Sequence, residues 1–300
     1  MKILNFANEA DATSRLGLLL NGDRVVDLSQ CRDAPFDTRS MHALIDAGTV
    51  GLNWMRATAE QGLDTLSLDS LRIFAPIPQP RKNVFCVGWN YLEHFKEGEQ
   101  VRTTAVDLPE HPTFFTKAST TINGPYDPIL INERITQKLD WEVELGVVIG
   151  KRGRDIDEHD ALGYIWGYTV INDVTGRDIQ RQHGQQWFKG KSLDGSCPMG
   201  PCIVTADAID PINLQLICRV NGVIKQDSNT RHMYFSLARV IAELSQGLTL
   251  HPGDIIATGT PQGVGHARQP PEFLQDGDLL ESEIPGIGCL RNVISRRVTA

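Results

Sequence analysis

Two carboxylates stand one residue apart in the stretch LDWEVELGVVIG, residues 139–150. Trp141, Val143 and Leu145 alternate with Glu142 and Glu144, and an apolar run follows, which is the pattern of a β-strand. Side chains two apart on a strand share a face, with Cα atoms roughly 6.6 Å apart. At a charge separation of ~5 Å and an effective dielectric of about 20, the two would repel by about 3 kcal/mol. A solvent-facing strand with ordinary polar alternation would have the same letters. Asp173 shifts the weighing, because it ends a second strand-like segment, GYIWGYTVIND. Three converging carboxylates with no His or Cys among them suit a hard cation, Mg²⁺ first, then Mn²⁺ or Ca²⁺. Such a set leaves coordination positions open for water or substrate.

A second cluster lies in GWNYLEHFKEGE, residues 88–99. Asn90 followed by Glu93 resembles a capping pair that opens a short helix. His94 and Glu97 are then i, i+3 and share a face, where the carboxylate orients the imidazole and strengthens it as a base. A surface helix with an incidental His–Glu pair has the same spacing. His111, His159, His232 and His251 have no such neighbour in sequence and read as ordinary. The stretch WFKGKSLDGSCPMGP (187–201) reads as a Gly/Pro-rich loop carrying Lys189 and Lys191, and most such lysines are simply solvated. TGTPQGVG (258–265) is glycine-dense after a strand but lacks the phosphate-loop and dinucleotide patterns. There is no G-x-S-x-G elbow, and nothing marks a cysteine nucleophile.

The elements that position these residues are legible in outline. LGLLLNGDRVVDL reads as a hairpin about an Asn-Gly-Asp turn. Residues 40–72 read as one or two helices, with Gly48 as a stop. Pro76, Pro78 and Pro80 make an extended connector, which places a boundary near residue 75 between a small N-terminal domain (1–75) and a catalytic domain (76–300). Beyond it strands are expected at 83–88, 113–117, 163–173, 214–226, 254–259 and 279–294. FSLARVIAELSQG (235–247) is an amphipathic helix ended by Gly247. Strands and helices do not alternate strictly, so the expected class is α+β, predominantly β.

The chain as a whole excludes little else. Its 300 residues suffice to bury a large core, and 41% hydrophobic with 22% charged residues is ordinary for a soluble protein. A net charge of −8 speaks against nucleic acid or an anionic membrane as partner. Six scattered cysteines without a C-x-x-C pair read as core thiols. No window approaches a membrane span and no apolar leader opens the chain, so a cytoplasmic protein is expected.

The motifs NYLEHFKE, DWEVELGVVIG, GYTVINDVTGRDIQ, GKSLDGSCPMGP and GDIIATGTPQGVG together resemble the fumarylacetoacetate hydrolase superfamily in order and spacing, over about residues 75–295. The N-terminal residues resemble the small domain of its longer members. The resemblance implies a mixed β-sandwich roll, a homodimer, and a central Mg²⁺ or Mn²⁺ held by Glu142, Glu144 and Asp173. It gives His94 and Glu97 the role of activating water, and Lys191 that of reaching the substrate. Arg177, Gln180 and Thr260 match positions that hold substrate oxygens, with Lys189 beside the motif. The implied activity is hydrolysis of a C–C bond in a 2,4-dioxo acid, acylpyruvate or fumarylpyruvate, through a metal-bound pyruvate enolate. Oxaloacetate decarboxylation and isomerisation or tautomerisation of a hydroxydienoate would use the same site. A non-catalytic cation-binding module would need the carboxylates but not His94, Glu97 or Lys191.

Overall fold

The strand Val143–Ile149 is buried along its whole length, Glu144 included. It pairs antiparallel with Ile165–Asn172 on one side and with Ile255–Ala257 on the other. The computed structural model describes residues 1–8, 11–99, 106–184 and 186–296. Among them the largest sheet has twelve strands, and this one lies near its middle. Period-two alternation then divides the side chains. Trp141, Val143, Leu145, Val147 and Ile149 join the core shared with a second, five-stranded sheet. Glu142 and Glu144 have the opposite parity and face away from that inter-sheet core. The second sheet contributes Leu216, Cys218, Leu280, Leu290 and Ile294 to the shared core, which makes the body a sandwich. The architecture is α+β and predominantly β.

The other face of the large sheet is covered from the N-terminal part of the chain. Ser40 caps the helix Met41–Asp46 by accepting from the Ala43 N–H, and the chain turns directly into the helix Gly48–Ala59. Leu44, Ile45 and Met55 pack there with Val148, Ile171 and Ile255. The expected hairpin is present, with Leu18 opposite Val26. Strand Lys2–Asn8 pairs with Cys197–Thr205, so the N-terminal strands extend the large sheet.

Two expectations are corrected. Helix does not continue to residue 72: past Ala59 the chain is drawn into sheet pairing, with Leu66 opposite Val25 and Leu71–Phe74 along the first strand. The loop expected over 187–201 is instead a short helix, Phe188–Lys191, followed by the strand Cys197–Thr205. Prolines hid that strand. The ladder shifts so that Tyr168 faces Val204 while Val170 faces Gly200, which leaves Pro201 outside regular pairing.

Candidate active site

Backbone pairing brings the carboxylates together. The Asp173 N–H donates to the Glu142 carbonyl at 2.9 Å, and the Glu142 N–H donates to Asn172 Oδ1 at 2.9 Å. Asn172 is in turn held by Ser282 of the second sheet, through Nδ2 to Oγ at 2.8 Å. Glu142, Glu144 and Asp173 are all buried, and one oxygen of each lies within 4.8 Å of the others.

The chain's own cations meet much of this charge. Glu142 Oε1 is 2.6 Å from Arg177 Nη2, and its Oε2 is 2.6 Å from Lys191 Nζ. Asp173 Oδ2 is 2.8 Å from Lys191 Nζ, and Asp173 Oδ1 is 2.8 Å from Lys117 Nζ. Burial opposes ionisation of Asp173, but the two lysines outweigh it and lower its pKa. Glu144 differs. Its Oε2 accepts from the Gly259 N–H at 2.8 Å, and among the described residues no cation reaches it. Burial, then Asp173 and Glu142, push its carboxyl well above the ordinary range. The repulsion suspected in the sequence is thus answered at Glu142 by Arg177 and Lys191, and left standing at Glu144. A divalent cation fits this donor set: its ligands are all oxygens, and the positive charge still lacking is at Glu144.

Two glycines allow the close approaches. A Cβ on Gly190 would lie 2.5 Å from the Gln180 Cα, so only glycine lets the turn carrying Lys191 pack against the helix Arg177–Gln182. Gly259 has φ +97°, and a Cβ there would meet Asn90 Cβ at 2.8 Å.

A cavity of about 530 Å³ opens over the carboxylates. His94, Arg177, Gln180, Lys191 and Thr260 line it with Glu142 and Glu144. His94 Nδ1 is 2.7 Å from Glu97 Oε1, and Glu97 Oε2 accepts from the Gly263 N–H at 2.8 Å, so the imidazole is tied to the glycine-rich loop. Thr260 Oγ1 donates to the Val143 carbonyl at 2.9 Å and accepts from Gln226 Nε2 at 2.8 Å. Lys189 is exposed and is not part of the wall. Asn90 is not a helix cap. It is fully buried and ties the loop to the body, donating to the Thr258 carbonyl at 2.8 Å and accepting from the Phe235 N–H at 2.7 Å. Glu93 pairs with Lys96 in solvent.

Three residues of this network escape a reading by motif. Lys117 is fully buried in the strand Thr113–Lys117. Asp140 is fully buried 2.7 Å from Arg177 Nε, and His266 Nδ1 lies 3.2 Å from Asp140 Oδ2. Lys117 closes a strand, TFFTK, that reads as ordinary, and only its pairing with Asp173 marks it. Nothing local marks Asp140 and His266, which are 126 residues apart. Burial pushes the Cys197 thiol up to about 12.

The family model for the fumarylacetoacetate (FAA) hydrolase C-terminal region matches residues 83–295. The oxaloacetate tautomerase YisK of Bacillus subtilis (strain 168) is 40% identical over 292 residues, covering 93% of this chain and 95% of its own. Among solved structures, fumarylacetoacetate hydrolase from Exiguobacterium antarcticum superposes with a TM-score of 0.83 at 40% identity, over 99% of this chain and 100% of that one. Maleylpyruvate hydrolase from Sphingobium sp. SYK-6, solved with manganese(II) and pyruvate, superposes with a TM-score of 0.79 at 28% identity, over 99% and 100%. A sandwich whose buried carboxylate triad meets a cavity lined by His94 and Lys191, with the family model matching residues 83–295 and relatives matching nearly end to end, makes this chain an enzyme of the fumarylacetoacetate hydrolase family.

Proposed function

We propose that the chain is a divalent-metal-dependent keto–enol tautomerase of a small 2-oxo dicarboxylic acid, with oxaloacetate as the first substrate to test. The observation that carries this reading is His94, fixed through Nδ1 by Glu97 in the cavity that holds the carboxylate cluster. The name of the 40% identical relative, an oxaloacetate tautomerase, supports the same chemistry.

Glu142, Glu144 and Asp173 would hold Mg²⁺ or Mn²⁺, and the bound cation supplies a Lewis acid that draws charge onto the 2-oxo oxygen. The Glu97 carboxylate keeps the hydrogen on His94 Nδ1, which leaves Nε2 as the basic nitrogen. His94 Nε2 takes a proton from C3 of the keto form and returns it in the opposite direction. Lys191 and Arg177 hold anionic oxygens of the substrate head, and Gln180 and Thr260 complete that wall. Trp89, Trp187 and Phe115, with ring centroids 5.0 and 5.2 Å apart in sequence of contact, limit water. Lys189 has no part in the step. A homodimer belongs to the reading as the resemblance implies it.

A second reading, C–C hydrolysis of a 2,4-dioxo acid, is favoured by the same His–Glu pair, which could take its proton from water. Tautomerisation comes first because it uses these groups without needing a water placed for attack. The test follows the enol absorbance of oxaloacetate with Mg²⁺, alongside pyruvate release from acetylpyruvate and from oxaloacetate, each corrected for metal alone. The tautomerase reading expects ketonisation to have the highest kcat/KM. Faster pyruvate release from acetylpyruvate would replace it with the hydrolase, and from oxaloacetate with the decarboxylase.

A further inference from the structure

A second imidazole, His266, lines the same cavity and is backed by a buried carboxylate. His266 follows the glycine-rich loop, and its ring is tied to Asp140 through Nδ1 at 3.2 Å. Asp140 accepts from every side: from the Gly265 N–H at 2.7 Å, the Trp141 N–H at 2.8 Å, the His266 N–H at 3.1 Å and Arg177 Nε at 2.7 Å. All four partners donate, and one of them is the Arg177 guanidinium, so Asp140 is used here as a carboxylate acceptor. An ionised carboxylate can only accept. The hydrogen between the two groups therefore sits on His266 Nδ1, and Nε2 is the lone pair of a neutral ring. Burial, then the Arg177 charge, lower the pKa of that ring despite Asp140, and His94 adds to the effect.

The cavity thus offers an acceptor at His266. Arg177 and Lys191 on the same wall can only donate, and the other acceptors there are the Glu142 and Glu144 carboxylates and the His94 ring. Gln180 Oε1 is already taken by Arg177 Nη1 at 3.3 Å, and Thr260 Oγ1 by Gln226. The two tautomers of a 2-oxo acid differ in one respect that an acceptor reads: the enol carries an O–H and the keto form does not. His266 is also linked to the carboxylate cluster, through Asp140 to Arg177 to Glu142. Arg177 thus stands between the carboxylate that holds His266 and the cluster that would hold a chelating substrate.

We propose that His266 receives the enol hydroxyl proton of the substrate, with Asp140 as its positioning residue; this rests on the tautomerase reading. In the ketonising direction the O–H proton passes to His266 Nε2, and the O–H pair becomes the C2=O π bond. The C2=C3 π pair takes a proton at C3 from His94, which enters as the imidazolium. His266 leaves protonated and His94 neutral, and exchange with water resets both. The opposite direction reverses each transfer.

The test compares wild type, His266→Phe and His266→Gln with Mg²⁺ present. It reads kcat and KM for ketonisation of enol-oxaloacetate and the affinity for oxalate by calorimetry. Oxalate has no hydroxyl to donate, so its affinity should stay at the wild-type value in both variants and also reports that each is folded. His266→Phe should lose on the order of 10²-fold in kcat/KM. His266→Gln, whose amide oxygen accepts a hydrogen bond but not a proton, should recover KM while kcat stays low. Wild-type kcat in His266→Gln, or oxalate affinity lost in step with kcat/KM, overturns the proposal. A wild-type protein that binds oxalate but does not ketonise the enol overturns the tautomerase reading itself.

Discussion

Lys117 Nζ lies 2.8 Å from Asp173 Oδ1, and both side chains are completely shielded from solvent. The ammonium also donates to the Val174 carbonyl at 3.0 Å and to Ser196 Oγ at 3.3 Å. Removing one member of such a pair strands the other charge in the interior. Lys117→Met should therefore cost ~3–5 kcal/mol of stability. Denaturant unfolding measures this, and saturating Mg²⁺ should recover part of the loss by binding the folded state. An unchanged midpoint would mean that Asp173 does not need Lys117.

Glu144 predicts a pH dependence. Its pKa is raised in the fold by burial and by Asp173 and Glu142. A carboxyl that holds its proton more tightly when folded favours folding while protonated, and that contribution is lost as pH rises through the raised value. Metal-free protein should lose stability as pH climbs past the ordinary carboxylate range. Glu144→Gln should flatten that slope and weaken Mg²⁺ binding. Unfolding midpoints across pH, with and without metal, check both halves.

Gly190 tests how tightly Lys191 is placed. The Cβ of Gly190→Ala would meet backbone atoms of Gln180 at 2.5–2.6 Å, so the short helix must shift. Overpacking of this kind costs ~1–3 kcal/mol. Oxalate affinity should fall as well, because Lys191 moves with its helix. A variant with wild-type stability and affinity would show that the contact is slack.

Glu97→Gln should lower kcat while sparing oxalate affinity. The amide no longer holds His94 Nδ1 as an ionised acceptor, and it meets the Gly263 N–H with a weaker partner. The loss should be smaller than the ~10²–10⁴-fold expected of His94→Ala, which removes the base itself. Steady-state kinetics of both variants with Mg²⁺ decide the order.

Much of this site could be read from spacing because its parts are local. Glu144 lies on the strand Val143–Ile149 with Glu142 immediately before it, and His94 and Glu97 lie on one turn of helix. Asp173 ends a strand whose apolar run is plain in sequence. What stayed hidden depends on partners distant in the chain. Lys117 ends an ordinary strand, and its burial follows only from Asp173 being there to receive it. Asn90 has the letters of a cap but makes its bonds to Thr258 and Phe235. Asp140 and His266 meet only when the glycine-rich loop folds back over the first carboxylate strand. The strand Cys197–Thr205 was masked by prolines that a shifted ladder accommodates.

One proton decides the proposed chemistry, that on C3 of the substrate. In D₂O with Mg²⁺, NMR follows deuterium entering C3 of oxaloacetate while a coupled assay follows pyruvate. Wild type should deuterate C3 well above the metal-only rate, with pyruvate staying at the metal-only rate, and His94→Ala should bring the exchange down to that background. Exchange no faster than metal alone, exchange that survives in His94→Ala, or pyruvate formed as fast as deuterium enters would contradict it.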